Sequence, residues 1–437
     1  MTDWIRFSCP HLEESYCECR HPVGLRILVS PKDFSATYAI VGIGYGSRDR
    51  FAGGALPMGC AHFLEHKMFE RTGGESWEDV FSTLGAEVNA YTSDDCTAYM
   101  FSATEHIPEA LEALLSMVKD MSVTSASVSR ERHIIAEEIR MNADDPWETC
   151  CSAARTALFG KHPVREEICG SEASLRRITP AVLRKAFDTF YRPDNMILTV
   201  CGRVDPEEVC AFVQEVMERF TPKEGKDLSA PSSRIKVKAD VFTARATTHR
   251  PVSKPLFCIG IKCPDLPVGR EALWRRDLTV SVLCETLFSH AGDFYSDLFE
   301  RGLVSPGMSY GYLVGDSPRL PAKLAYGYFD LSGESDCPET VFEEFRAFAE
   351  RVRERGIPEA DFARAKRILY AELVASFDTT EDIASLLGSY ALDGLCAYDF
   401  FDALDSITLH DAEELFRKTF RDGQYTLSVV LPTEAAE

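Results

Sequence analysis

The sequence lacks two features of exported and membrane-anchored proteins. It has no run of about eighteen apolar residues, which argues against a membrane-spanning helix. Residues 1–19 show no basic start followed by an apolar core, the pattern of a secretory signal. In a long chain without such a signal, the odd number of 15 cysteines indicates reduced thiols rather than a disulfide framework. Together these features predict a cytoplasmic protein with no membrane partner.

Basic charge is also scarce. The chain has 47 Lys and Arg against 69 Asp and Glu, a net charge of −22 at pH 7. Because phosphate contacts require clustered basic side chains, we expect no nucleic-acid partner. The 45% hydrophobic and 27% charged fractions are typical of globular proteins. A chain of 437 residues is too long for one ordinary core and suits two domains of about 200 residues.

The segment His62–His66 has the sequence His-Phe-Leu-Glu-His. On a helix, positions i and i+4 are neighbours, so both imidazoles can bind one ion while Glu65 lies beside the water that the ion holds. The order His-x-x-Glu-His is the inverted form of a zinc-peptidase motif. It predicts one Zn²⁺ per chain, bound by His62 and His66, with Glu65 as the catalytic base. The alternative is a pair of ordinary helix histidines.

A third ligand is expected on a helix predicted from Ser127 to Asn142, capped by Ser127 and ended by residues 144–146. Residues seven apart share a helical face, so Glu131 and Glu138 point together, whereas Glu137 is turned away by about 100°. We therefore assign Glu138 as the ligand and place Glu131 in the catalytic site as a carboxylate that orients a ligand. The alternative is a solvated acidic face. The apolar side of this helix is predicted to comprise Val128, Ile134, Ile135 and Ile139.

A repeat relates the two halves of the chain. Ile178 aligns with Ile407 at a shift of 407 − 178 = 229 residues. The same shift pairs Thr179 with Thr408, Phe187 with Phe416, Tyr191 with Phe420, Leu198 with Leu427 and Val200 with Val429. Arg132 and Glu138 similarly have counterparts in Lys366 and Glu372. The pattern joins a helix to a buried strand in both halves and predicts one α+β unit used twice.

The predicted boundaries follow from composition. We expect an N-terminal catalytic, zinc-binding domain over 1–220, a linker over 221–233 where Pro, Gly, Lys and Ser interrupt the apolar pattern, and an inactive repeat domain over 234–437. The second half has no His-x-x-Glu-His, and Leu283–Leu287 occupies the comparable early helix. Only the first half can then bind zinc.

Several further segments agree with one known family. The chain resembles the inverzincin metallopeptidases, which include pitrilysin, insulin-degrading enzyme and mitochondrial processing peptidase, and is most similar to their short bacterial YmfH-like branch. Glu138 follows His66 by 138 − 66 = 72 residues, near the family's usual distance. The segments that carry the resemblance are Ala61–Glu70, Gly85–Thr92 with Thr97–Tyr99, Glu131–Ile139, Phe159–Pro163 and Tyr191–Met196.

The resemblance implies an α+β fold of two homologous domains of the processing-peptidase type, each a mainly antiparallel sheet packed with helices. It also implies a zinc endopeptidase that cleaves peptides or small unfolded polypeptides in an enclosed chamber. An extended peptide would add a strand beside Asn89, Ala90 and Tyr91. The family's Arg and Tyr pair from the far half has no direct match, since Ser305 stands where a Tyr is often found. Arg301 and Tyr310 are the candidate substitutes, although an ordinary helix-terminal Arg and strand Tyr are the competing interpretation.

The resemblance also implies an oligomer. The family's chamber is built from four such units and this chain supplies two, so we expect a homodimer or a heterodimer with an inactive relative. The rival hypothesis is a non-catalytic subunit or peptide-binding scaffold of a heterodimeric processing peptidase. Stoichiometric metal would separate the two hypotheses, because a chamber wall need not bind any.

Overall fold

The computed structural model describes residues 4–51, 56–73, 75–219, 240–264, 266–267, 269–315 and 326–433. The chain forms two compact units, neither of them continuous in sequence. Unit 1 comprises Met1–Ile139, Glu167–Ala230 and Leu373–Phe400, and unit 2 comprises Arg140–Glu166, Pro231–Glu372 and Phe401–Glu437. No helix among the described residues has both the length and the apolar character needed to cross a membrane.

The strands are short and mostly buried. They are β1 (Ile5–Ser8), β2 (Ser15–Arg20), β3 (Arg26–Pro31), β4 (Thr37–Ile43), β5 (Glu87–Thr92), β6 (Thr97–Ala103), β7 (Met196–Gly202), β8 (Arg245–Arg250), β9 (Leu256–Lys262), β10 (Ser309–Gly315), β11 (Tyr326–Glu334) and β12 (Tyr425–Pro432).

The helices surround these strands. They are α1 (Cys60–Met68), α2 (Trp77–Thr83), α3 (Ile107–Lys119), α4 (Ser125–Asp144), α5 (Pro146–Phe159), α6 (Glu172–Leu175), α7 (Pro180–Phe190), α8 (Pro206–Met217), α9 (Arg270–Phe288), α10 (Asp293–Glu300), α11 (Pro338–Arg355), α12 (Glu359–Ala375), α13 (Thr380–Leu392), α14 (Asp399–Ser406) and α15 (Leu409–Thr419).

Unit 1 is built on a seven-stranded sheet in the order β1-β2-β3-β7-β4-β6-β5. Only β3 and β7 run parallel, and the other neighbours are antiparallel. One core joins the sheet to its helices, with Phe63, Leu114 and Leu198 completely buried. Strand β5 pairs with β6 and lies at an edge of the sheet. This edge position leaves one side of β5 available for another strand.

Unit 2 is built on a five-stranded sheet in the order β10-β11-β9-β12-β8, with β12 and β8 parallel and the other neighbours antiparallel. Strand β10 lies at its edge, as β5 does in unit 1. Both sheets are therefore mainly antiparallel and packed with helices. The predicted α+β fold of two related domains is confirmed.

The two units do not follow the halves of the chain on either side of residues 221–233, because one helix from each half belongs to the other unit. Helix α5, from the first half of the chain, packs on β9 and β12 of unit 2 and completely buries Cys150 and Leu158. Helix α13, from the second half, packs on β4 and β7 of unit 1 and buries Ile383 and Leu387. Periodicity indicates that a helix has an apolar face but does not indicate which sheet covers it. The predicted linker, residues 221–233, lies outside the described residues.

The predicted repeat has a counterpart in specific hydrogen bonds. In unit 1, Arg132 Nη2 donates to the carbonyl oxygen of Ile178 at 2.9 Å. In unit 2, Lys366 Nζ donates to the carbonyl oxygen of Ile407 at 3.1 Å. Thr179 caps α7 and Thr408 caps α15 through their side-chain oxygens. Two pairs of the 229-residue shift, Ile178 with Ile407 and Thr179 with Thr408, therefore make equivalent contacts in the two units, as do Arg132 and Lys366, which are 366 − 132 = 234 residues apart.

Helix α4 differs from its prediction in two details. It begins at Ser125 rather than Ser127, because Thr124 and Ser127 exchange two 3.1 Å hydrogen bonds, each backbone N–H donating to the other side chain. Ile134 is 57% exposed and lies outside the apolar side, whereas Val128 and Ile135 are buried. The helix ends at Asp144, and Asp145 then caps α5.

Leu387→Ala tests the placement of α13. Leu387 is 1% exposed, so its truncation leaves a cavity and should lower the free energy of unfolding by about 2–5 kcal/mol. The neighbouring Leu386 is only half-buried, and Leu386→Ala should cost clearly less. Urea denaturation of both variants measures the difference. Equal losses would contradict the packing of α13 on the unit 1 sheet.

Candidate metal centre

Helix α1 anchors the His-x-x-Glu-His segment in the core of unit 1. It begins after Gly59, whose φ of 78° lies in the left-handed region that favours glycine. Phe63, Leu64 and Met68 are at most 1% exposed and hold the helix against the core. The motif itself is therefore largely buried. His62 and Glu65 are both 8% exposed.

The two imidazoles face one carboxylate on α4. His62 Nε2 lies 3.4 Å from Glu138 Oε1, and His66 Nε2 lies 3.7 Å from Glu138 Oε2. Neighbouring nitrogen and oxygen ligands of a tetrahedral zinc, at bond lengths of 2.0–2.2 Å, are separated by roughly 3.3–3.6 Å. Each imidazole nitrogen therefore lies close to ligand spacing from one oxygen of Glu138, and the donor atoms of these three side chains are of the types that zinc binds.

Glu131 orients the second histidine. Its Oε1 lies 2.9 Å from His66 Nδ1, and the Glu131 side chain is 16% exposed. With the proton on Nδ1, the Nε2 lone pair of His66 faces Glu138, the arrangement that metal-binding histidines usually have. Burial lowers the pKa of His66, but the hydrogen bond to Glu131 and the charges of Glu65 and Glu138 outweigh it and the net shift is upward.

The neighbouring imidazoles also shift the pKa of Glu138. The hydrogen bond from His62 is the main cause that lowers the pKa of its carboxyl, against the opposing effect of burial. Three carboxylates, those of Glu65, Glu131 and Glu138, thus interact with the two imidazoles of α1. A divalent cation would offset this concentration of negative charge.

Glu65 is held by Thr92, a residue of the predicted peptide-binding strand to which the sequence assigned no contact with the catalytic base. Thr92 Oγ1, at the end of β5, donates a 2.6 Å hydrogen bond to Glu65 Oε2. This hydrogen bond ties one oxygen of Glu65 to β5, while the residue lies on the same helix as both histidines. The arrangement suits a base that acts beside the ion rather than as one of its ligands. Thr92 has no spacing relation to the motif, so only the packing of β5 against α1 reveals the contact.

Cys169 is a second residue that sequence reasoning missed. Its Sγ donates to Glu138 Oε1 at 3.5 Å and lies 3.9 Å from His62 Nε2. Burial, and then the neighbouring Glu138, raise the pKa of this thiol to about 12. The thiol is therefore neutral in the absence of an ion. It lies 31 residues after Glu138 in a turn, a separation that no common metal motif would have indicated.

The predicted peptide-binding residues lie on the edge strand β5. Asn89 and Tyr91 are exposed and Ala90 is half-buried. The Ala90 N–H donates to Asn89 Oδ1 at 2.8 Å. This main-chain group is thus bonded to a side chain that another strand can displace. The edge position is the one that strand addition requires.

Arg301 and Tyr310 belong to unit 2, where each has a carboxylate partner. Arg301 donates to Asp297 at 2.8 Å and to Glu344 at 2.5 Å on the surface. The Tyr310 hydroxyl donates to Glu285 Oε2 at 2.6 Å. These contacts give both side chains a structural task within unit 2. Their binding of substrate stays a prediction.

The chain also matches known proteins. Residues 30–172 match the family model described as Insulinase (Peptidase family M16), and residues 177–369 match that of the Peptidase M16 inactive domain. The zinc protease YmfH of Bacillus subtilis (strain 168) is 30% identical over 432 residues, which cover 96% of this chain and 97% of that protein. The chain belongs to the M16 peptidase family. Its similarity to the YmfH-like branch, predicted from residues 61–70, is confirmed.

Other M16 proteins extend the comparison. A crystal structure of an M16-like peptidase from Alicyclobacillus acidocaldarius has a TM-score of 0.89 and 31% identity, and the match covers 97% of this chain and 99% of that one. A protein of Arabidopsis thaliana named as subunit beta of mitochondrial-processing peptidase is 23% identical over 441 residues, covering 94% of this chain and 78% of that protein. The inactive-domain match begins at residue 177, after the His-x-x-Glu-His motif, and lies mostly in the second half of the chain.

Glu131→Gln tests the orientation of His66. The amide keeps the shape of the carboxylate but loses its charge, so zinc affinity should fall about 10–100-fold, as it does when outer partners of metal ligands are changed. Competition with a chromophoric chelator measures the affinity. The matched control is Glu137→Gln, an exposed position on the same helix, which should leave the affinity unchanged. Equal affinities for the two variants would contradict this role of Glu131.

Proposed function

We propose that this chain is a zinc-dependent endopeptidase that cleaves peptides or small unfolded polypeptides. The observation that carries the proposal is the convergence of His62 Nε2 and His66 Nε2 on Glu138, at 3.4 and 3.7 Å, with Glu65 on the same helix as the histidines. Relatives named as zinc proteases that match nearly the whole chain support it.

In this proposal His62, His66 and Glu138 hold the zinc ion. The ion supplies Lewis-acid polarisation of the scissile carbonyl and lowers the pKa of water. Glu65 takes a proton from the attacking water and returns it to the departing amine. Thr92 holds one oxygen of Glu65, which fixes the direction of the carboxylate. Glu131 keeps the His66 ring oriented through Nδ1.

The substrate would bind as an extended strand beside β5. Backbone pairing supplies affinity without strong sequence preference, and side-chain pockets add limited selectivity. A carbonyl oxygen of a peptide that pairs with β5 would accept the hydrogen bond of the Ala90 N–H in place of Asn89 Oδ1. Asn89, Ala90 and Tyr91 are accordingly the proposed peptide-binding residues, and Thr92 links their strand to the catalytic base.

We propose that the working enzyme encloses its peptide with a second subunit, either another copy or an inactive relative. The match of residues 177–369 to an inactive domain and the similarity to a protein named as a subunit support this part. Arg301 and Tyr310 would contribute to substrate binding only after exchanging their present carboxylate partners. The cytoplasm is the proposed location.

Glu65→Gln is the direct test of the catalytic assignment. The amide cannot accept the proton of water, so turnover should fall by about 10²–10⁴-fold, the usual contribution of a general base. Zinc content should stay at one ion per chain, because Glu65 is not a ligand. Hydrolysis of a mixed peptide pool, followed by mass spectrometry with metal analysis on the same samples, measures both.

Glu109→Gln is the matched control, since Glu109 is an exposed glutamate at the start of α3. This variant should cleave at the parent rate. Full activity of Glu65→Gln would end the proposal. A parent chain with neither zinc nor cleavage would instead favour a non-catalytic subunit that forms part of a chamber wall.

Ala90→Pro tests strand addition on β5. Proline removes the N–H that a paired peptide would use, yet it is tolerated on edge strands when the missing donor faces outward. We expect KM to rise at least about tenfold, the free-energy equivalent of one or two hydrogen bonds, with unchanged zinc content and thermal midpoint. An unchanged KM in the folded variant would place the peptide elsewhere.

A further inference from the structure

The sulfur of Cys169 lies at ligand spacing from the predicted metal site. It is 3.5 Å from Glu138 Oε1 and 3.9 Å from His62 Nε2. One donor atom from each of these three residues lies within 4.8 Å of the other two. In a tetrahedral zinc site, a sulfur ligand at 2.3 Å is separated from nitrogen or oxygen ligands by roughly 3.5–3.7 Å. The thiol therefore lies close to ligand spacing from two of the proposed ligands, His62 and Glu138.

Two glycines allow the backbone to place this thiol. A Cβ atom on Gly59 would lie 2.3 Å from the carbonyl oxygen of Cys169, and one on Gly170 would lie 2.8 Å from the carbonyl oxygen of Met58. Both glycines have φ near 80°, a conformation that other residues rarely adopt. The turn that carries Cys169 thus packs directly against the N-terminus of α1. Its position is set by the same backbone that places His62.

The chemistry of the donors agrees with this geometry. Zinc is bound by thiolates, imidazoles and carboxylates alike, and soft sulfur ligands favour it over hard cations such as Mg²⁺. His62 is 8% exposed, and Cys169 is only half-buried. The cysteine is therefore partly accessible to solvent, like the side chains of His66 and Glu138, which are 24% and 29% exposed.

We propose that Cys169 is a fourth protein ligand of the metal in the resting protein, an inference that rests on the zinc site of the proposed function. On binding, the thiol gives its proton to solvent and its sulfur donates an electron pair in the position otherwise used by water. On release, the sulfur takes up a proton and water enters. Zinc sites with four protein ligands are closed, whereas hydrolytic sites keep one position for water. Release of Cys169 then precedes turnover.

Cobalt spectroscopy of the full chain tests this directly. Chain freed of metal and loaded with one equivalent of Co²⁺ should show the near-ultraviolet charge-transfer band of a cobalt–thiolate bond. The band should be lost in Cys169→Ser and Cys169→Ala. It should persist in Cys337→Ser, a half-buried thiol before α11 in unit 2. Zinc affinity should fall at least about tenfold in both Cys169 variants, since even outer partners are worth 10–100-fold.

The outcomes distinguish this inference from the proposed function. A parent chain without the band, or Cys169 variants that keep it, would overturn the inference even if all of them cleave peptides. Loss of the band in the Cys169 variants supports it, even if no variant cleaves anything and the peptidase proposal fails.

Discussion

The site depends on one electrostatic arrangement, the Glu138 carboxylate facing two imidazoles between α1 and α4. Three carboxylates, those of Glu65, Glu131 and Glu138, act on His62 and His66 in a largely buried space. Such crowding opposes the fold unless positive charge compensates it. The apolar residues of α1 hold the histidines in place, and α4 delivers two carboxylates from one face. Despite burial, the pKa of His66 is raised by its carboxylate neighbours and the pKa of Glu138 is lowered by the two imidazoles, which shows how strongly these groups interact.

Unit 2 keeps the scaffold of this arrangement without its histidines. Glu285 on α9 accepts a 2.6 Å hydrogen bond from Tyr310 on the edge strand β10, as Glu65 does from Thr92 on β5. Glu372 on α12 corresponds to Glu138, but burial, and then the charge of Glu285, raise the pKa of its carboxyl. The contrast with Glu138, whose carboxyl has a lowered pKa, follows from the missing imidazoles. The duplicated fold is therefore retained where the metal chemistry is lost, in agreement with the inactive-domain match.

Sequence patterns predicted which residues share a helix or a helix face. They did not predict the contacts that depend on how helices, strands and turns pack together. Helical spacing placed His62, Glu65 and His66 on one helix, and the seven-residue rule separated Glu131 and Glu138 from Glu137. The 229-residue shift identified residues that make equivalent hydrogen bonds in each unit. The exchange of α5 and α13 was not predictable, because an apolar helix face does not specify its sheet. Thr92 and Cys169 were missed for a related reason, since turns and strand packing bring them to α1 from distant positions in the sequence.

Anomalous X-ray diffraction at the zinc edge, on crystals of the full chain grown with zinc, tests the central claim most directly. The account predicts one anomalous peak in each chain, within bonding distance of His62 Nε2, His66 Nε2 and the Glu138 carboxylate. It also predicts that Glu65 lies outside that distance. A zinc peak elsewhere, or none beside these residues in a folded chain, would contradict the account.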